Sequence, residues 1–258
     1  MKSSLAYSFL LGCLATEAVA RHGHIINQVS RFAQSNAGGL SDITFPMKLG
    51  NVDHDDGFYF AQTWYFDNAG SEHTAYMGLQ PTKDAGGKTV LHAAFSSFIT
   101  NTTTNHPNCH YGADRGNGVS CAVDISGASY DHVWNLTVAA IGDNAWRGTM
   151  TDTTTNQEHE IGVWAIPDAA LIRKNQIINF FEYYPFNVDG LPDCRTLPSA
   201  AVTFFKPTSN TGTGAFYETP YEVGDCKGKA NASWKELSNG AWYQSAGFAS
   251  TSSGAACA

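Results

Sequence analysis

Phe58-Tyr59-Phe60-Ala61-Gln62-Thr63-Trp64-Tyr65-Phe66 is the stretch whose reading decides the fold class of this chain. Successive side chains of a strand point to opposite faces. Phe58, Phe60, Gln62, Trp64 and Phe66 therefore share one face, and Tyr59, Ala61, Thr63 and Tyr65 the other. So dense a set of aromatic residues suits a pleated, largely buried surface. Further runs of this kind occupy residues 75–80, 89–99, 122–125, 132–141, 146–151, 159–166, 176–186, 201–205 and 242–248. Gly86-Gly87 and Asp189-Gly190 mark turns between runs. Residues 168–174 alone read as helix, and for about two turns. Many short strands with no alternating helices predict two packed antiparallel sheets. The expected architecture is an all-β, antiparallel β-sandwich of jelly-roll or concanavalin-like type, in a single domain.

Working outward, the first twenty residues have a different character. Lys2 supplies a positive start, residues 5–14 are mostly apolar, and Ala18-Val19-Ala20 offers a small-x-small cleavage site. This pattern predicts a secretory signal peptide over 1–20, a sandwich domain over 21–248 and a flexible tail over 249–258. The expected location is extracellular, where disulfides persist. Past the leader, no apolar run is long enough to span a bilayer. The formal net charge of the chain is −8 and no Lys/Arg cluster interrupts it. Nucleic acid binding, which needs a basic stripe to neutralise phosphates, is excluded on that ground.

Cys13 belongs to the leader, leaving Cys109, Cys121, Cys194, Cys226 and Cys257. No CxxC spacing suggests zinc. The favoured pairing is Cys109–Cys121, closing a glycine-rich loop, and Cys194–Cys226, with Cys257 left over; spacing alone leaves the other connectivities open. Sequons at Asn101, Asn135 and Asn231 predict surface positions and glycosylation. Asn135 sits in a strand-like run, so it is expected to face outward.

The middle of the chain resembles a family of secreted proteins, the domain-of-unknown-function 3472 family. The residues that carry the likeness are Ala75-Tyr76-Met77-Gly78-Leu79-Gln80, the run 90–98, Gly116-Asn117-Gly118-Val119, Tyr130-Asp131-His132-Val133-Trp134 and Phe180-Phe181-Glu182. The likeness implies a β-sandwich and secretion. It implies no reaction.

Polar side chains inside apolar strands are the candidates for chemistry, because a buried polar group without a partner is costly. Gln62, Gln80, His92, Glu182 and Tyr184 would line a concave groove, with Trp64 and Tyr65 as aromatic platforms, if their faces coincide. The groove reading predicts binding of, or action on, an extracellular polysaccharide. A lyase would use Gln62 and Arg115 to quiet a uronate carboxylate and His92 or Tyr184 as base. A glycosidase would need Glu182 and a second carboxylate, for which Asp124 is the available candidate. A secreted protein acting through protein contacts is a separate class. Asp53, Asp55 and Asp56 could wrap calcium with hard oxygen ligands, or simply form an acidic turn. His22 and His24 would suit copper in a monooxygenase, provided Arg21 is removed so that His22 becomes the terminus.

Overall fold

The computed structural model describes residues 23–33, 38–67, 74–142, 144–168, 170–187 and 190–249. The expected signal peptide, His22, Cys257 and all but the first residue of the expected tail lie outside them. The strands, in chain order, are β1 (Ile25–Arg31), β2 (Asp42–Leu49), β3 (Phe58–Phe66), β4 (Thr74–Ala85), β5 (Lys88–Ser97), β6 (Cys109–Tyr111), β7 (Val119–Ser126), β8 (Trp134–Gly142), β9 (Ala145–Asp152), β10 (Glu158–Ala165), β11 (Ile172–Tyr183), β12 (Ala200–Phe204), β13 (Thr208–Ser209), β14 (Gly212–Thr213), β15 (Ala215–Phe216), β16 (Tyr221–Val223), β17 (Ser233–Glu236) and β18 (Trp242–Ala246).

They form two antiparallel sheets. The first runs β15-β1-β11-β3-β4-β5-β7-β6, with β16 also pairing with β1; the second runs β10-β9-β8-β2-β12-β18-β17, with β13 and β14 attached at β2. The sheets pack face to face, so the expected β-sandwich is what the chain forms. Its interior is built from the face of β3 that carries Phe58, Phe60, Trp64 and Phe66. Trp64 stacks on Phe45 of β2 at 5.8 Å, Phe66 meets Trp146 of β9 edge-on at 5.0 Å, and Phe95 of β5 stacks on Trp164 of β10 at 4.6 Å. These pairs join one sheet to the other. Withdrawing each such side chain from water stabilises the fold by about 1.5–3 kcal/mol.

The described residues of the range 168–174 form no helix: its later residues enter β11, whose pairing with Phe66 of β3 begins at Ile172. Strands β1 and β2 went unread, although Ile43, Phe45, Met47 and Leu49 alternate as a half-buried strand should. Both favoured disulfides are present, Cys109–Cys121 and Cys194–Cys226. Asn101 and Asn231 are exposed, and Asn135 alternates with the buried Trp134 and Leu136, so its side chain turns away from the interior.

Candidate active site

The outer face of the first sheet is set by strand parity. Tyr59 and Ala61 of β3 point away from the sandwich interior and, with Ala94 of β5, form a second small apolar cluster joined by Tyr76, Phe180 and Tyr184. The registers spread the same face sideways. Glu182 lies opposite Tyr59, Gln80 opposite His92, and His92 opposite Asp124. The adjacent row, Phe180, Ala61, Gly78, Ala94 and Ala122, is small apart from its first member. That floor makes room for rings to lie over it. A Cβ on Gly78 would sit 2.3 Å from the Ala61 Cβ, so only glycine fits that position.

Tyr59 crosses this floor. Its ring meets Tyr76 at 5.3 Å and Phe180 at 5.5 Å, both edge-to-face. The side chain is 5% exposed, and its hydroxyl oxygen is buried with no hydrogen-bond partner among the described residues. Burial drives the Tyr59 hydroxyl far above its ordinary pKa, and the charges of Tyr76, Asp114 and Glu182 push in the same direction. Tyr59 therefore sits at the hub of an acidic group.

Asp114 reaches this face from the loop between β6 and β7, which the Cys109–Cys121 bridge ties at its base. Asp114 and Arg115 both hold left-handed backbone, with φ of 45° and 66°. Such conformations are costly for residues other than glycine and concentrate where function over-determines them. The Tyr76 hydroxyl donates to both Asp114 carboxylate oxygens, at 3.1 and 3.2 Å. Burial lifts the Asp114 carboxyl above the usual range; the Tyr76 hydrogen bond pulls it back, and the Glu182 charge adds to the rise. Glu182 has a different setting, because Asn187 Nδ2 donates to its Oε1 at 2.6 Å. On the far side of Gln80, His92 Nδ1 lies 2.7 Å from Asp124 Oδ1.

The structure thus brings Gln80, His92, Glu182 and Tyr184 to one face and leaves Gln62 out. Gln62 shares the parity of Phe60 and Trp64. It is buried inside the sandwich, with Oε1 unpartnered. Trp64 is wholly buried and offers no platform, and Tyr65 has the Arg173 guanidinium 6.0 Å from its ring centre. Arg115 stands exposed at the loop tip beside Asp114. The residues that sequence reading missed are Tyr59, Tyr76, Asp114 and Asn187. Parity would have placed the two tyrosines with Glu182, but no pattern marks a loop aspartate that folds back onto the face.

The acidic turn does not gather as a calcium site. Asp55 pairs with Lys83 at 3.5 Å and accepts from the Asp56 backbone, and Asp56 accepts from the Thr82 hydroxyl at 2.7 Å. Asp53 lines a separate surface cavity with Asn51 and Arg195. Among the described residues no group of three or more His, Cys, Asp or Glu side chains is placed to hold a metal ion. His24, the second expected copper ligand, is fully buried at the start of the sandwich with Nε2 3.2 Å from Glu222 Oε1.

No family model matches the chain, and no curated protein matches it in sequence. Among solved structures it is similar to scytalido-glutamic peptidase with a peptide-based transition state analog, at 11% identity and a TM-score of 0.43, over 86% of this chain and 97% of that one. The same peptidase with a transition state analog inhibitor gives 12% identity and a TM-score of 0.43, over 89% and 98%. SCP-B, a member of the eqolisin family of peptidases in complex with the tripeptide Ala-Ile-His, gives 11% identity and a TM-score of 0.40, over 89% and 98%. The likeness is one of fold.

The polysaccharide reading is overturned. Of the two expected platforms, Trp64 is buried in the core and Tyr65 has the Arg173 guanidinium beside its ring. The lyase set of Gln62, His92, Arg115 and Tyr184 cannot converge, because Gln62 lies on the other side of the sheet. Asp114, Asp124 and Glu182 on one face would also repel a uronic polymer.

Proposed function

We propose that this chain is a carboxylate-dependent hydrolase of peptide bonds, acting on the outer face of the first sheet. One observation carries the reading: Asp114 and Glu182 sit close enough for one charge to raise the other's pKa, yet in unlike environments. Paired carboxyl groups whose surroundings differ divide into an acid and a base. The upward shift of the Asp114 carboxyl makes it the proton donor of the pair, and the Asn187 amide, donating to Glu182, orients the base.

In this assignment Glu182 takes a proton from a water molecule as its oxygen bonds to the peptide carbonyl carbon. Tyr59, whose buried hydroxyl lies out of a substrate's reach, shapes the floor beneath the two carboxyl groups. Asp114 then delivers its proton to the nitrogen as the C–N bond breaks. The cycle leaves Glu182 protonated and Asp114 ionised, and exchange with solvent resets both. The Gln80 side-chain amide, beside Tyr59, offers a donor and an acceptor that complement a peptide backbone.

The test is turnover of unfolded protein and of a peptide library from acid to neutral pH. Activity is expected on the acid side, falling as pH climbs through the raised pKa of Asp114, because the proton donor is then lost. Glu182→Gln and Asp114→Asn should each lower kcat by roughly 10²-fold or more. Wild-type turnover that survives both substitutions would remove the assignment.

A further inference from the structure

We infer that Asn187 is the positioning residue for Glu182, and that the backbone of Gly23, at the entry to β1, holds Asn187 in place. The inference rests on the reading of Glu182 as the base.

Asn187 closes the short turn Tyr184–Phe186, its backbone N–H donating to Tyr184 O at 2.9 Å. Its side chain is engaged at both ends. Nδ2 donates to Glu182 Oε1 at 2.6 Å, and Oδ1 accepts from the Gly23 N–H at 3.0 Å. An amide has one donor end and one acceptor end, and here both partners are unambiguous: a carboxylate accepts only and a backbone N–H donates only. Turning the amide over would oppose donor to donor and acceptor to acceptor. The side chain therefore has one stable orientation, and it aims a donor at the carboxylate.

Gly23 is itself held. Its carbonyl accepts from the Cys226 N–H at 2.9 Å, and Cys226 is bridged to Cys194. A Cβ at position 23 would lie 2.1 Å from the Phe186 Cβ and 2.6 Å from the Phe186 carbonyl oxygen, so the slot admits glycine alone. The next residue, His24, is buried against Glu222, and Ile25 pairs directly with Glu182 across the β1–β11 ladder. A continuous path of bonds thus runs from the disulfide-bridged Cys226 through Gly23 and Asn187 to the carboxylate. The start of β1 must be seated for the base to be held.

The experiment uses the full chain, Asn187→Ala, Glu182→Gln, and a chain that begins at His24 and so lacks the Gly23 amide. Asn187→Ala leaves the buried Gly23 N–H without its acceptor, so it should fold with a melting temperature lowered by roughly 2–10 °C. Its kcat on peptides should fall by roughly ten- to a hundredfold, the scale on which small misplacements act, with KM within about twofold. The chain beginning at His24 should show the same split. Independently of turnover, the Asn187 side-chain amide proton should appear far downfield in a proton–nitrogen spectrum and move upfield in Glu182→Gln and in the shortened chain. Peptide cleavage with an amide proton indifferent to Glu182→Gln, or with undiminished kcat in Asn187→Ala, overturns the positioning role and leaves the hydrolase standing. A responsive amide proton in a protein that cleaves no peptide overturns the hydrolase and leaves the clamp.

Discussion

Tyr59 shows how a single atom separates stability from function. Its hydroxyl is buried without a partner, which costs about 1–3 kcal/mol relative to a satisfied group. Its ring is well packed between Tyr76 and Phe180. Tyr59→Phe keeps the ring and removes the orphan. It should raise the melting temperature by roughly 2–4 °C for each kcal/mol recovered and leave kcat within about twofold, since the hydroxyl lies out of a substrate's reach. Calorimetry and peptide turnover on the same preparation check it; a variant that is less stable would mean the hydroxyl has a partner in solution. Legibility at this scale was uneven. Glu182, Gln80 and His92 stood out as polar residues in apolar strands. Gln62 stood out for the same reason and lies in the core, since alternation assigns residues to faces without saying which face is inside.

At the scale of elements, β3 and the β6–β7 loop make the contrast. The alternation of Phe58–Phe66 needed only strand geometry, and its even face is the core. The loop needed more. Cys109 and Cys121 pair across adjacent strands, and Gly162 of β10 packs on the bridge, where a Cβ would lie 2.5 Å from the Cys121 Cβ. The bridge closes a segment with a sequence separation of 12, and removing it should cost about 3 kcal/mol by the loop-entropy relation. The prediction for Cys109→Ser with Cys121→Ser is a lowered melting temperature and a loss of kcat larger than any change in KM, because the loop presents Asp114. Equal turnover by the variant would show that Asp114 is held by other contacts. Strand β1 was illegible for a physical reason: its buried Gln28 and Ser30 look like solvent-facing residues, and Asn179 of β11 donates to Ser30 Oγ and to the Gln28 carbonyl.

At the scale of the whole molecule the governing quantity is charge. The chain carries −8, and Asp114, Asp124 and Glu182 share one face. The summed field favours cationic partners and is screened by salt over about 10 Å at 0.1 M. Peptides bearing Lys or Arg should therefore show a higher kcat/KM than isosteric peptides bearing Glu or Asp, with the difference shrinking as salt rises. A preference for acidic peptides, or one indifferent to salt, would place the substrate elsewhere on the molecule.

The amino-acid sequence by itself determined the fold class, the disulfide partners that were favoured and the parity of each strong strand, because these follow from local periodicity and from short closures along the chain. Only the tertiary structure decided which face of β3 is interior, that Asp114 returns from a loop to Tyr76, and that Gly23 reaches Asn187 across 164 residues of chain. Those contacts join segments far apart in sequence, and their register is set by the packing of two sheets.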